Sequence, residues 1–530
     1  MKKLILIPLI LVIAAGLIFS GCAGEEEAVT KGPYGTITVA VADFANESTD
    51  PVNLESVWGW AFYDALLRWD KNGILIPGVA DEWTLEGNTW TFKIHKGIKF
   101  HNGEDLTAED VKFSVDRFSD MEQSSNPWSF FLSKAYNQVE TKVVDDYTFQ
   151  FVQAKPELSQ IIIFAWVRIL PKDYYESVGM EEFRKAPIGS GPWKFKELVS
   201  ETSMTLEANT DYWRLEEIPT FQYYKELQVP EMATRVAMLK TGEVDMIAFP
   251  NLDQINGLVK DGFTAFKIGV PGTSSLCIQG SWLPDSGPVG DIRVRKALSY
   301  ALNRQEICET LFEGYATPGG QFYMYPGGYG WSDALAADPY DPQKAKDLLK
   351  EANYPAAFAD PVITVYTTAA GGLSGGPDLF LLLISYWEKV GLQVKMEVLD
   401  ATIWNNYMFN FTRLKGGEDN VGWIFNWNYD AFFNSTYHSA NMYCSWGVHN
   451  TGNDPKSDEL YLKAANEPDA KLARQYFNEF QVYAKSMYVN IGIAQTQGYV
   501  VWNPKKIGGW AGRTWVSYWD SFYGIQHPKK

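Results

Sequence analysis

Residues 97–118, GIKFHNGEDLTAEDVKFSVDRF, bring one histidine close in sequence to four carboxylates: His101, Glu104, Asp105, Glu109 and Asp110. A histidine among carboxylates could bind a metal ion or transfer protons in catalysis. Either chemistry requires the groups to converge on one point. Which role they have depends on the elements that position them.

The same stretch carries two local structural signals. Asn102-Gly103 predicts a tight turn. Thr107, with Asp110 three residues later, predicts a capping box at the start of a helix, and acidic residues in a first turn suit the helix dipole. The carboxylates are then divided between the turn and the helix cap, so they do not converge on one point. The pattern therefore favours local architecture over a catalytic or metal site.

Strands and helices alternate along the rest of the chain. In WTFKI the apolar side chains alternate, with Trp90 and Phe92 on one face of a predicted strand. Asp341 and Pro342 predict the cap and first turn of a helix that buries Ala345 and Leu349. This alternation over 530 residues predicts an α/β protein of more than one lobe.

The N-terminal residues are typical of a secretory signal peptide. Lys2 and Lys3 precede an apolar run over residues 4–19, which is shorter than the ~20 residues of a membrane span. Cys22 follows Ser20 and Gly21, and this resembles the lipobox of bacterial lipoproteins, whose cysteine is lipidated. We expect a signal peptide over residues 1–21 and a flexible linker over 22–34. The protein would be anchored by lipid to the outer face of the cytoplasmic membrane, or lie in the periplasm.

Composition narrows the classes of function. A formal net charge of −18 disfavours nucleic acid as a partner. The spacing of the cysteines after the lipobox fits no zinc pattern, and at most one disulfide could form among Cys277, Cys308 and Cys444. The chain also has no G-K-[ST] phosphate loop and no H-E-x-x-H zinc motif. We expect no cofactor, and nickel is disfavoured because none of the histidines pair at ligand spacing: His95, His101, His438, His449 and His527.

Five segments in order resemble family 5 of the extracellular solute-binding proteins, which serve bacterial ABC importers. They are WTFKIHKGIKFHNGEDLTAEDVKFSVDRF at 90–118, PIGSGPWKFKELVSETSMTLEANTDYW at 187–213, TRVAMLKTGEVDMI at 234–247, DIRVRKALSYALNRQEI at 291–307 and YDPQKAKDLLKEANY at 340–354. The resemblance covers nearly all of the chain after the lipobox. It implies three kinds of partner, which are a small-molecule ligand, permease subunits and ATPase subunits, and it implies that the binding protein itself is a monomer.

The resemblance also implies a two-lobed periplasmic-binding-protein-like fold of the large peptide-binding subclass. Lobe 1 would comprise residues 35–267 and 494–530, with an extra subdomain over about 69–187. Lobe 2 would comprise residues 268–493. The ligand would be trapped between the lobes by hinge closure.

Aromatic and amide residues are dense at 419–446, DNVGWIFNWNYDAFFNSTYHSANMYCSW. In the family, the segment that begins Gly-Trp lines the cleft, which here gives Trp423 and Ile424. Peptide-binding members have an aspartate three residues after that tryptophan, which holds the peptide's amino group. This chain has Asn426 there, and Asp430 lies four residues further on. An amide cannot pair with an ammonium as a carboxylate does, so ordinary peptide binding is disfavoured.

Four further cleft residues are implied by position in the family: Trp404, Trp128, Phe131 and Gln279. Aromatic rings offer rigid apolar surface and amides fix orientation, so we expect a neutral polar ligand such as an oligosaccharide or a peptide held by its backbone. Two alternatives stay open at this point. One is a secreted glycan-acting hydrolase, and the other is a sensory receptor that signals when its lobes close.

Overall fold

A computed structural model describes residues 32–42, 44, 47–52, 59–70, 75–124, 126–248, 250, 252–312, 316–368, 376–400, 422–430, 436–447, 451–467, 469–510 and 524–528. Trp404, the signal peptide, Cys22 and linker residues up to 31 lie outside these residues. The described residues from Pro33 onwards form one compact unit.

The strands of the described chain are β1 Thr36–Val41, β2 Leu67–Trp69, β3 Leu75–Pro77, β4 Ala80–Glu86, β5 Thr89–Ile94, β6 Gln138–Asp145, β7 Thr148–Gln153, β8 Trp193–Val199, β9 Ser203–Ala208, β10 Tyr223–Gln228, β11 Met246–Ala248, β12 Thr264–Gln279, β13 Ala316–Pro318, β14 Ile363–Thr368, β15 Val394–Leu399, β16 Trp423–Asp430, β17 Asn490–Trp502, β18 Gly509–Trp510 and β19 Ile525–Gln526.

The helices are α1 Gly59–Phe62, α2 Ala108–Ser119, α3 Lys172–Val178, α4 Met180–Lys185, α5 Met232–Thr241, α6 Leu252–Lys260, α7 Ile292–Tyr300, α8 Arg304–Thr310, α9 Pro342–Glu351, α10 Gly376–Lys389, α11 Thr436–Tyr443, α12 Pro455–Ala465 and α13 Ala470–Ser486. Short 3₁₀ turns cover Pro127–Leu132, Leu158–Ala165, Leu215–Glu217, Gly287–Gly290 and Asp333–Leu335.

The local predictions for helix starts are confirmed. Asp341 caps α9 by accepting a hydrogen bond from the Lys344 amide at 2.9 Å, and Ala345 and Leu349 are buried. The capping box of α2 is present, with the Thr107 amide donating to Asp110 at 2.8 Å. In each helix the side chain satisfies backbone donors that the first turn leaves unpaired.

One large sheet runs through the compact unit in the order β15-β14-β16-β12-β17-β11-β1-β10-β9-β8, and β13 also pairs with β17. The long strands β12 and β17 lie antiparallel at its middle. Their register shifts between Ile268 and Gly272, where three residues of β12 face one of β17, and again by one residue between Ser274 and Ser275. We refer to the first and larger of these shifts as the sheet break, and to the strands on either side of it as the first and second halves.

Parallel strands point at the sheet break from both sides. In the first half, β10 and β11 run parallel to β1, and Ala248 at the end of β11 pairs with Val500. In the second half, β14 runs parallel to both β15 and β16, and β16 ends with Asp430 opposite Gly272. The carboxyl ends of all these strands therefore meet at the same level of the sheet. Ligands of open α/β sheets bind outside the carboxyl ends of the strands.

Each half of the sheet has apolar cores on both faces. In the second half, Leu276, Ile278 and Ile424 face one core, and Cys277 and Phe425 face the other. This alternation follows from the two-residue period of a strand that is buried on both sides.

A separate four-stranded sheet, β4-β5-β7-β6, forms the centre of a distinct subdomain with its own core. Trp90 and Phe92 are buried there, as the alternation of WTFKI predicted. Helix α2 and the Pro127–Leu132 turn contribute to the same core. None of the helices that the structure describes is both long enough and apolar enough to cross a membrane.

Candidate ligand-binding site

His101 has a structural position. Its Nδ1 accepts a hydrogen bond from the Gly189 amide at 3.3 Å, and its Nε2 donates to the Gly191 carbonyl at 3.0 Å. The imidazole must be neutral to make both bonds, because one nitrogen accepts and the other donates. Burial lowers the pKa of His101 to about 4. The ring thus joins the Asn102-Gly103 turn to the loop at 189–191.

The neighbouring carboxylates do not converge. Asp105 pairs with Lys99 at 2.6 Å on the surface, and Asp110 accepts from the Thr107 and Lys172 amides. Glu104 and Glu109 are exposed. Across the part of the chain that the structure describes, no cluster of three His, Cys, Asp or Glu residues could hold a metal ion. The predicted structural role of this stretch is confirmed.

Strand β16 carries four of the predicted ligand residues. Ile424 is fully buried in the core on its face of the sheet, between β12 and β14. Asn426 follows two residues later on the same face, nearer the carboxyl end. The side chains of Trp423 and Asp430 lie outside the described part of the chain. The face of β16 therefore changes from apolar core to polar side chain as the strand approaches the sheet break.

The amide of Asn426 has a fixed orientation. Its Nδ2 donates to Ser274 Oγ at 2.9 Å and to the Ser275 carbonyl at 3.2 Å. The Ser275 carbonyl can only accept, so the nitrogen must face β12 and Oδ1 must face away. This Oδ1 is buried, and no described residue donates a hydrogen bond to it. A buried acceptor of this kind costs about 1–3 kcal/mol unless it is paired.

Gln279 lies at the opposite end of the strand pair. It pairs with Trp423, and its carbonyl accepts from the Gly422 amide at 2.9 Å. Its side chain is buried. The structure therefore places Gln279 opposite the start of β16, three residue pairs further from the sheet break than Asn426.

Trp128 and Phe131 lie on the Pro127–Leu132 turn of the subdomain, where Asn126 caps the turn by accepting from the Trp128 amide. Phe131 is fully buried in the subdomain core, behind Trp128. The Trp128 ring is 3.9 Å from the ring of His438 on α11, measured between centroids. Trp128 therefore contacts helix α11, which lies beside the second half of the sheet. Phe131 packs behind Trp128 in the subdomain core.

The contact of Trp128 with His438 belongs to a larger set that sequence reasoning missed. We call it the aromatic seam, and its members are Trp128, Tyr136 and Ser159 of the subdomain and His438, Trp446 and Tyr461 beside the second half. Trp446 lies 5.8 Å from Tyr136 and 5.3 Å from Tyr461 between ring centroids. His438 and Trp446 fall within the aromatic-rich stretch 419–446, which was the available signal. Nothing in the sequence paired them with the subdomain.

A buried carboxylate lies beside the seam. Glu157 accepts from Tyr136 Oη at 3.0 Å and from Ser159 Oγ at 3.1 Å. Burial, and secondarily the charge of Glu157, raises the pKa of Tyr136 far above its ordinary value, and the same two causes raise the pKa of Tyr461. Both phenols therefore stay protonated and act as hydrogen-bond donors.

Two shallow depressions lie elsewhere, on the surface between α2 and β6 of the subdomain. Their volumes are about 650 and 690 Å³, and both are lined by Asp116 and Thr141. Lys112 pairs with Asp116 between them at 2.6 Å. Neither depression is lined by residues of the strands that end at the sheet break.

The connection between β14 and α10 contains Gly372-Leu-Ser374-Gly-Gly376, a G-x-S-x-G pattern. In hydrolases such a serine lies on a sharp turn between strand and helix. Ser374 lies outside the described residues. The pattern gives the hydrolase alternative a specific residue to test.

Comparisons with known proteins agree with this architecture. Residues 75–447 match the model of the bacterial extracellular solute-binding proteins, family 5 middle region. A dipeptide-binding protein of Escherichia coli strain K12 is 28% identical over 399 residues, which cover 69% of this chain and 71% of the relative. Heme-binding protein A of Haemophilus influenzae is 25% identical over 493 residues, covering 87% of this chain and 86% of the relative.

A solved structure shares the fold. The periplasmic binding protein DppA of Helicobacter pylori, in complex with the peptide STSA, has a TM-score of 0.76 and 22% identity. The match covers 94% of this chain and 99% of that one.

This chain belongs to family 5 of the bacterial extracellular solute-binding proteins. The predicted family and the predicted mixed α/β, two-lobed fold class are both confirmed. The curated relatives and the structural neighbour are described as binding proteins.

Proposed function

We propose that this protein captures a neutral polar solute at the sheet break and delivers it to the permease of an ABC importer. The observation that carries the proposal is the buried Oδ1 of Asn426, which faces away from β12 in the middle of β16, four residues before Asp430 at the sheet break. An amide oxygen in this position accepts a hydrogen bond from a ligand N–H or O–H. It offers no formal charge to an ammonium group.

The ligand classes that fit are oligosaccharides and peptides bound through their backbone. Both present neutral donors and both have faces that pack on aromatic rings. Trp423, Asp430 and Trp404 remain predicted ligand residues, and so do Trp128, Phe131 and Gln279. Of the described ones, Asn426 is the residue on which we place the most weight, because no described residue donates a hydrogen bond to its buried Oδ1.

We propose that the two lobes move about the sheet break. The register of β12 against β17 shifts between Ile268 and Gly272, so three residues of β12 face one of β17 and the ladder is irregular there. Hinges are short segments that absorb backbone rotation. The chain would then pass from lobe 1 to lobe 2 near residue 268 on β12, as predicted. It would return to lobe 1 near residue 497 on β17, a few residues later than predicted. The subdomain over about 69–187 would move with lobe 1.

We further propose that Cys22 carries a lipid anchor and that residues 22–34 tether the folded part to the outer face of the membrane. Each buried methylene of an acyl chain contributes roughly 0.8 kcal/mol, so two or more chains hold firmly. Permease and ATPase subunits would then be the transport partners, with ATP hydrolysis confined to them.

Calorimetric titration tests the proposal with N-acetylated, C-amidated peptides, the same peptides with free amino groups, oligosaccharides and nickel chelates. We expect the neutral compounds to bind and the free amino group to add no affinity. Tight binding of cationic peptides alone would contradict it. Mass spectrometry of the recovered ligand distinguishes capture from hydrolysis, and Ser374→Ala would abolish turnover only if the G-x-S-x-G pattern were catalytic.

A further inference from the structure

The aromatic seam joins two cores that are otherwise separate. Trp446 packs against the subdomain core and also against the core formed by α11, α12 and α13. Trp331, a second tryptophan, packs against the latter core. The seam is therefore a contact between the subdomain and the second half of the structure.

Each side of the seam is linked to a segment that follows a strand ending at the sheet break. On the subdomain side, Ser124 donates to the Val52 carbonyl at 3.0 Å, which ties the segment before Trp128 to the chain that follows β1. On the other side, α11 begins six residues after Asp430, the last residue of β16. The second-half side of the seam thus follows β16 in the chain, and the subdomain side is hydrogen-bonded to the segment that follows β1.

Side chains close the seam by direct contact. Trp128 and His438 are each 5% exposed, and Tyr461 is fully buried. The Ser159 and Tyr461 hydroxyls are 3.5 Å apart, within hydrogen-bond distance. Aromatic rings with centroids less than 6 Å apart are in contact, so no ligand chain can pass between Tyr136 and Trp446.

We propose that the aromatic seam is an end wall of the ligand cleft and that Trp446 sets the maximum length of the bound solute. The inference rests on the proposed function, since it assumes that the ligand lies along the strand ends near Asn426. It assigns the substrate class more narrowly: a short oligomer that ends at the seam, not a long chain that runs through it. Trp446 and Tyr136 are then determinants of specificity that exclude longer ligands by steric overlap.

The test uses the mature full-length chain and two probe series, which are end-blocked peptides of two to six residues and oligosaccharides of one to six units. Calorimetry compares the wild type with Trp446→Ala and, from the opposite side of the seam, Tyr136→Ala. Trp331→Ala is the matched control. Because an extended residue spans about 3.5 Å, we expect removal of the indole to raise the longest accepted ligand by about one or two residues.

In the wild type, affinity should fall at least tenfold when the limiting length is exceeded. Trp446→Ala and Tyr136→Ala should each recover the lost affinity for the next longer probe. Trp331→Ala should keep the wild-type limit on ligand length. An unchanged limit in both seam variants, or a wild type that binds all lengths equally, would overturn the end wall while leaving solute capture intact. A wild type that binds no probe of either series would overturn the proposed function, and the end wall with it.

Discussion

Asn426 on β16 donates a hydrogen bond to the hydroxyl of Ser274 on the neighbouring strand β12, at 2.9 Å. This bond directs the amide nitrogen into the sheet and the amide oxygen out of it. The position that holds an aspartate in the peptide-binding members of the family therefore presents a neutral acceptor here. The charge preference of the site should follow from this one side chain.

Replacing Asn426 with aspartate should change that preference. The Asn426→Asp carboxylate can form charge-assisted hydrogen bonds with an ammonium, which are about twice as strong as neutral ones. We expect free-amine peptides to bind at least tenfold more tightly than their acetylated forms, as measured by calorimetry. Asn478→Asp, where the amide bonds to the Gly330 carbonyl elsewhere in the second half, is the control and should leave the preference unchanged. Equal gains for both peptide forms would contradict the assigned role.

The sheet break should be visible in amide hydrogen exchange. Gly269 and Val270 lie between the two paired segments of β12, and Pro271 has no amide hydrogen, so the amides of Gly269 and Val270 should exchange faster than those of 264–268 and 276–279. The difference should be at least tenfold in the ligand-free protein. The flanking segments are the internal control. Uniform protection along all of β12 would argue against a hinge at this level.

His101 should make stability depend on pH in a defined window. Its pKa is about 4 in the folded protein and about 6.5 in an unfolded chain, so the fold favours the neutral ring. This contribution is complete above pH 6.5 and is lost as the pH falls towards 4, by up to about 3 kcal/mol. Denaturant unfolding of the wild type and of His101→Gln at pH 7 and pH 4.5 checks it.

The variant should be less stable at pH 7 and should lose less stability than the wild type on acidification. His95→Gln is the control, because His95 pairs with Asp81 on the surface at 2.9 Å. Identical pH profiles for the wild type and His101→Gln would show that the His101 ring does not join the turn to the loop in the way described.

The loop at 189–191 should tolerate no side chain at its first glycine. A Cβ on Gly189 would lie 1.8 Å from the Phe62 carbonyl oxygen, so Gly189→Ala must displace backbone. We expect a loss of more than about 3 kcal/mol or failure to fold. Gly257→Ala is the matched control, because that position in α6 is open and helical, and alanine there should stabilise by about 0.5–1 kcal/mol. Equal thermal stabilities for the two variants would contradict the close approach.

Cys22 should determine membrane association. In a host that processes bacterial lipoproteins, Cys22→Ser should move the protein from the detergent-rich phase to the aqueous phase. Cys308→Ala, which removes a buried thiol from the folded part, should leave the partition unchanged. Retention of Cys22→Ser in the detergent phase would rule out the lipid anchor at this residue.

Local signals in the sequence were enough to predict features that depend only on residues close together in the chain. The caps at Thr107 and Asp341 and the alternation in β5 depend on neighbours in the chain, and the structure has them as predicted. The family resemblance supplied the fold class, because five motifs in order constrain the order of the elements.

Contacts between distant segments could not be predicted in the same way. Whether Gln279 approaches the strand ends depends on the register of β12 against β16, and a single sequence does not specify that register. The pairing of Trp128 with His438 joins a 3₁₀ turn of the subdomain to helix α11 through the tertiary fold alone. Sequence identified both aromatic regions without showing that they touch.

The central claim is that a neutral solute is held at the sheet break with Asn426 as its buried acceptor. A crystal structure of the protein with the tightest neutral ligand from calorimetry tests it most directly. We predict that the intact ligand lies between the strand ends of the two halves and donates a hydrogen bond to Asn426 Oδ1 at about 2.9 Å. A ligand bound away from the strand ends, or one whose covalent structure has changed, would contradict the claim.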